Sequence, residues 1–121
     1  MIRTGIDLIE TGRIAESMKN ERFRARVFSP AELALIGENM QSAAARFCAK
    51  EAFGKALGTG VSGFALTEVE VLRDALGAPY LQLTGRALEK AAGFFFSVSL
   101  SHTKEYACAV VVAYTREESK Q

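Results

Sequence analysis

Proline and cysteine each occur only twice in these 121 residues, and histidine once. No apolar run approaches the roughly 18 residues that a membrane-spanning helix needs. With 49% hydrophobic residues and so little proline, the chain is expected to be a compact globule, not a disordered one. Cys48 and Cys108 lie far apart and form no C-x-x-C pair, so neither a zinc site nor a disulfide framework is indicated, and both are expected as buried reduced thiols. Charge of one sign is also missing: 15 basic against 14 acidic residues leave a net +1, which argues against a protein that wraps nucleic acid. The start, Met1-Ile2-Arg3-Thr4, lacks the charged-then-apolar pattern of a signal peptide, so a cytoplasmic location is expected. There are no repeats, linkers or low-complexity stretches apart from a polar tail, Arg116 to Gln121, expected to fray. One domain, residues 1–121, follows, burying roughly two-thirds of its unfolded surface.

What is present changes period at mid-chain. Ile2 to Ile9 reads as a strand. Thr11 suits an N-cap for a helix with Ile14, Met18, Phe23 and Val27 inward. Ser29-Pro30-Ala31-Glu32 is a helix start with a capping box, and carries Leu33, Ile36 and Met40. Ser42 is placed to cap a long helix that Gly58 ends, and Thr59 to Gly63 is a loop. Leu66 to Arg73 then alternates, with Val69 and Val71 on one side, and pairs through a turn at Gly77-Ala78-Pro79 with Tyr80 to Leu83. Thr84 caps a short helix through Ala92. Phe94 to Ser101 and Tyr106 to Tyr114 form a last strand pair. Helices cluster early and antiparallel strands late, which is an α+β class. No polar side chain interrupts Ala107 to Ala113, so that strand needs cover on both sides, from the domain's own helix and from something else such as another subunit.

Three segments carry chemistry. Asp7 sits among Ile6, Leu8 and Ile9, where strand propensity and burial disfavour a carboxylate. A cation would neutralise it; the alternative is a cap for the helix near Thr11. Glu51 lies in Ala45-Arg46-Phe47-Cys48-Ala49-Lys50-Glu51-Ala52-Phe53-Gly54-Lys55-Ala56, flanked by Lys50 and Lys55. It either pairs with Lys55 at i,i+4, for a few tenths of a kcal/mol, or joins Asp7 where a divalent ion meets a polyphosphate, with the lysines neutralising phosphate oxygens. Gly54, which costs about 1 kcal/mol relative to alanine inside a helix, implies close approach of something to the backbone there. Ser97, Ser99 and Ser101 share one strand face, which either lines a polar groove or meets solvent, and His102 at the strand end is a candidate phosphate donor when protonated. No nucleophile elbow and no Walker spacing is present. Arg13, Lys19, Arg22, Arg24 and Arg26 make either a solvated helix face or a docking surface for an acidic partner.

Gly5-Ile6-Asp7, the block from Arg46 to Ala56, and Ser99-Leu100-Ser101-His102 resemble, in order and spacing, the three signature blocks of the bacterial holo-[acyl-carrier-protein] synthases, the small 4′-phosphopantetheinyl transferases. The likeness spans nearly the whole chain, and the middle block is its specific part. It implies a small antiparallel sheet packed on helices, typically trimeric with the site between neighbouring subunits. It implies transfer of the phosphopantetheine arm of coenzyme A to a serine of apo acyl carrier protein, with release of adenosine 3′,5′-bisphosphate, in fatty acid biosynthesis. By the same resemblance Asp7 and Glu51 hold Mg²⁺, Lys55 stabilises charge on the attacked phosphate, and Lys50, Arg46 and His102 contact phosphates or nucleotide. Glu51, directly or through a metal-bound water, accepts the serine proton, and Arg13, Arg22, Arg24 and Arg26 receive the acidic carrier. No membrane or nucleic acid is involved.

Two departures stand out. The family often has basic residues before the Arg46 helix, near the 3′-phosphate of the coenzyme, where Asn39-Met40-Gln41-Ser42 offers none. It also tends to have glycine where this chain has Arg3, a change expected to touch only strand packing. Competing readings are a non-catalytic module that recruits an acidic protein, and a Mg²⁺-dependent pyrophosphohydrolase with water as nucleophile.

Overall fold

The computed structural model describes residues 1–116; of the polar tail, residues 117–121 lie outside the described residues. The order is β1 (Ile2–Glu10), α1 (Thr11–Ser17), α2 (Glu21–Val27), α3 (Pro30–Ile36), α4 (Met40–Leu57), a 3₁₀ turn (Leu66–Glu68), β2 (Val69–Arg73), β3 (Pro79–Leu83), α5 (Gly85–Lys90), β4 (Phe95–His102) and β5 (Tyr106–Tyr114). The class is α+β, as expected. A three-stranded antiparallel sheet runs β1-β5-β4, and β2-β3 form a separate hairpin. The first strand thus pairs with the last, a long-range closure that local pattern could not reveal.

α4 is the axle. Ala43, Ala44, Ala45, Ala49, Ala52 and Ala56 are all buried along it, so both flanks are packed. One core cluster gathers Ile14, Met18, Val27, Phe28 and Ile36 against its first half; another gathers Phe53, Val69, Val111 and Ala113 against its second. Small side chains let helix and sheet close tightly. At Gly5 a methyl would sit inside the Ala52 carbonyl, so the β1 and α4 backbones touch. Loop backbone folds onto the helix at Gly54, where a Cβ would lie 2.5 Å from the Gly60 carbonyl, as the cost of a mid-helix glycine implied.

Several local expectations need correction. The single helix from Thr11 to Val27 is two, broken at Met18 to Asn20, because the Asn20 side chain accepts from the Phe23 N–H and starts α2 afresh. Thr11 is not a cap: Glu10 holds that position without a side-chain bond, and the buried Thr11 Oγ1 has no hydrogen-bond partner among the described residues. Asn39, not Ser42, caps α4 by accepting from the Ser42 N–H at 3.0 Å. The Ser29–Glu32 capping box is present, and Gly58 ends α4 in left-handed backbone. Arg3 does more than pack: its Nε donates to the Ala56 carbonyl at 2.8 Å, a cation at the C-terminus of α4. Cys48 is a buried free thiol, whereas Cys108 is only half-buried.

The sheet is covered on one face. Ala107, Ala109, Val111 and Ala113 of β5 are buried under α4. On the other face Ile2, Ile6 and Leu8 of β1 are 74%, 60% and 65% exposed, and the register sets them beside Tyr114, Val110 and Cys108.

Candidate active site

Asp7 lies on the α4-facing side of β1, two residues after Gly5, so the backbone contact at Gly5 brings its carboxylate to the flank of α4 at Glu51 and Lys55. Lys55 Nζ donates to Asp7 Oδ1 at 3.2 Å and to the Ile6 carbonyl at 2.9 Å. The Glu51–Lys55 ion pair is therefore not the one formed; Lys55 bridges to the strand instead. Burial raises the proton affinity of Glu51, the Asp7 charge raises it further, and Lys55 opposes both. Burial and the neighbouring Asp7 also push the Cys48 thiol up to about 12, which keeps it protonated and unreactive. Two carboxylates thus crowd one spot with a single partly exposed ammonium beside them. Among the described residues no group of three or more His, Cys, Asp or Glu side chains is placed to hold a metal. A two-carboxylate set suits a cation that fills its remaining positions with water and substrate oxygens, which is the habit of Mg²⁺.

Lys50 points elsewhere, and its expected phosphate contact is not supported. The side chain is fully buried, and Nζ donates to Glu32 Oε1 at 2.7 Å and to the Leu66 and Val69 carbonyls at 2.9 and 2.6 Å. An ammonium has three protons, and these three acceptors use them all. Glu32 is equally buried and also accepts from the Ser29 and Val71 N–H groups. One turn earlier, Arg46 Nε donates to the Val71 carbonyl at 2.9 Å and Nη1 bonds the Ser42 hydroxyl. The edge of β2 is thus satisfied by charged side chains where a neighbouring strand would otherwise stand.

Arg46 and His102 do converge. With Arg73, Ser42, Ser99 and Asn39 they line a cavity of about 450 Å³ between α4, β4 and the β2–β3 hairpin. Ser97, Ser99 and Ser101 all lie on the exposed sheet face, and of the three only Ser99 borders this cavity. The step from Arg46 to Glu51 turns about 140° round the helix, so the carboxylate pair and this cavity occupy different flanks of α4.

The basic segment divides. Arg22 and Arg26 line one groove with Phe23 and Asn20, and Arg13 lines the next; Glu16 borders both. Arg24 turns away to a groove with Lys19 and Met40. Glu32 and Arg73 escaped sequence reasoning. The capping box gave Glu32 a sufficient role by itself, and Arg73 ends a strand with no motif around it.

Residues 3–111 match the 4′-phosphopantetheinyl transferase superfamily. A holo-[acyl-carrier-protein] synthase of Dehalococcoides mccartyi is 46% identical over 118 residues, covering 93% of this chain and 98% of that one. The crystal structure of the Neisseria meningitidis holo-[acyl-carrier-protein] synthase superposes with a TM-score of 0.84 at 34% identity, covering 95% of this chain and 100% of that one. The Helicobacter pylori enzyme of the same name, solved in complex with coenzyme A, gives 0.83 at 30% identity over 94% and 100%. With the carboxylate pair, the bridging lysine and the fold already in place, this agreement along nearly the whole chain has one meaning: the chain belongs to the 4′-phosphopantetheinyl transferase superfamily, among its holo-[acyl-carrier-protein] synthases.

Proposed function

We propose that the chain transfers the 4′-phosphopantetheine arm of coenzyme A to a serine of apo acyl carrier protein. The observation that carries this is the meeting of Asp7, Glu51 and Lys55 at one point of contact between β1 and α4. Asp7 and Glu51 fit Mg²⁺, which when bound would supply positive charge against the coenzyme's diphosphate. The Lys55 ammonium, fixed on the Ile6 carbonyl and Asp7, is held beside the phosphate under attack, where negative charge grows. The serine oxygen forms a bond to the β-phosphorus, the bond from that phosphorus to the bridging oxygen breaks, and adenosine 3′,5′-bisphosphate leaves with the electron pair. Glu51 accepts the serine proton. Arg46 and His102 receive the nucleotide end in their cavity.

The acidic carrier docks along Arg13, Arg22 and Arg26, with Arg24 adding only to the longer-range field, so its encounter rate falls with salt. The uncovered sheet face supports self-association, as in the expected homotrimer: Ile2, Ile6, Leu8, Val110 and Val112 put apolar side chains on it, interrupted by Thr4. The catalytic centre is then shared, the carboxylates of one subunit facing the cation-lined cavity of the next. Two free thiols suit a reducing, cytoplasmic setting.

The test is incubation with coenzyme A and Mg²⁺, with and without apo carrier protein, followed by mass spectrometry of the carrier. Bisphosphate release only with carrier, together with the added mass on its serine, supports transfer. Release without carrier identifies a hydrolase, and no release in either arm identifies a binding module. Mixing Asp7→Ala and His102→Ala subunits should restore part of the lost activity if the centre is shared; mixtures no better than either parent would show that it is not.

A further inference from the structure

Two cross-links join β1 to the last turn of α4, and they run in opposite directions. Lys55 of the helix reaches over to the strand, where Nζ donates to the Ile6 carbonyl at 2.9 Å and to Asp7 Oδ1 at 3.2 Å. Arg3 of the strand reaches back to the helix, where Nε donates at 2.8 Å to the carbonyl of Ala56, the residue next to Lys55. Between the two lies Gly5, where any side chain would run into the Ala52 carbonyl and the Ala56 nitrogen. The backbones therefore touch at Gly5, and the two long cations hold them on either side of it.

The turn so gripped is weak by itself. It includes Gly54, and Gly58 and Gly60 follow it with φ of +82° and +62°, so it has much backbone freedom to lose. A helix leaves its last four carbonyls without intrahelical donors. Here the Gly54 carbonyl accepts from the Thr59 and Gly60 N–H groups at 3.2 and 3.0 Å, and the Lys55 carbonyl accepts from Gly58 at 3.0 Å. Among the described residues no backbone N–H of the loop reaches the Ala56 carbonyl; Arg3 does. Its charge also meets the negative end of the helix dipole, and Nη2 lies so close to Gly58 that a methyl there would overlap it. The strand end is itself anchored, since Arg3 is in register with Ala113 and the Met1 carbonyl accepts from the Thr115 N–H at 3.0 Å. Lys55, by contrast, has half its side chain exposed, so packing alone does not fix its ammonium.

We propose that Arg3 is a positioning residue for the transfer: by tying the Ala56 carbonyl to β1 it fixes the last turn of α4, and with it the Lys55 ammonium beside the attacked phosphate. Arg3 acts through Lys55 and touches neither substrate nor cation. The family tends to have glycine at this position, so the device belongs to this sequence. It rests on the reading above that Lys55 meets the charge growing on the phosphate.

The experiment measures kcat and KM for wild type, Arg3→Met, Arg3→Lys, Lys55→Met and Arg3→Met/Lys55→Met, with slow variants followed by single-turnover mass spectrometry of the carrier. It also measures amide hydrogen exchange at Gly58, Thr59 and Gly60 without coenzyme. Arg3 is exposed, and melting curves check that each variant folds. A misplaced lysine predicts that Arg3→Met lowers kcat about tenfold or more with the KM for coenzyme A within about twofold, and that Arg3→Lys recovers part of the loss. In the Lys55→Met background the same change should alter kcat less than about twofold, because the group it positions is gone. Exchange at the three amides should rise about tenfold in Arg3→Met and less in Arg3→Lys. An unchanged kcat, an equal loss in both backgrounds, or unchanged exchange overturns the positioning role. If wild type transfers nothing, the functional reading fails, and the exchange rates still decide whether Arg3 holds the turn that carries Lys55.

Discussion

Replacing Lys50 by methionine separates two roles for the same lysine. A phosphate-binding lysine is exposed, and its loss would raise the KM for coenzyme A while leaving stability nearly unchanged. The structure instead puts Nζ at zero side-chain exposure, hydrogen-bonded among the described residues to Glu32 and two carbonyls. Burial by itself makes the ammonium harder to keep, and Glu32 is what holds its proton in place. Methionine fills similar volume but leaves the Glu32 carboxylate buried with only the Ser29 and Val71 N–H groups, and orphans the Leu66 and Val69 carbonyls. Breaking a buried pair from one side costs about 3–5 kcal/mol. In a domain of this size that lowers the melting temperature by roughly 10–25 °C. Melting curves need one fixed protein concentration and no coenzyme, because subunit association and ligand both shift the midpoint. The double variant Glu32→Gln/Lys50→Met removes both charges and should melt above the single Lys50→Met variant. Wild-type melting of Lys50→Met together with a raised KM for coenzyme A would refute the reasoning.

Two further substitutions bear on the centre. Asp7→Ala should lower transfer by about 10²-fold or more while shifting the melting temperature by only about 3 °C, since the ion pair it loses is partly exposed. Near-normal turnover at saturating Mg²⁺ would show that Asp7 is not a ligand. Gly5→Ala should destabilise by about 1–3 kcal/mol or more, because its methyl meets the Ala52 carbonyl. It should also depress activity at temperatures well below its midpoint by moving Asp7 away from Glu51; a stable, fully active variant would show that the close approach is dispensable.

The sequence by itself determined a good deal. Local chemistry placed the capping box at Ser29–Glu32 and the end of α4 at Gly58. It separated the hairpin periods from the helical ones and singled out Asp7 as a carboxylate out of keeping with its strand and Glu51 as one flanked by Lys50 and Lys55. Each of those signals lies within a few residues, which is the range over which propensity and periodicity operate. The fate of Lys50 was decided by tertiary structure. Lys50 and Lys55 both read as phosphate-neutralising cations flanking Glu51, yet five positions of helix turn one into the core against α3 and β2 and leave the other at the edge of β1. Nothing local distinguishes them, because the difference is made by Glu32, eighteen residues earlier, and by carbonyls of a strand not yet formed. The pairing of β1 with β5 and the gathering of Arg73 with Arg46 and His102 have the same origin. Residues remote in the chain become neighbours only when the core around α4 closes, and burial then settles whether a charge serves the fold or stays free to meet a ligand.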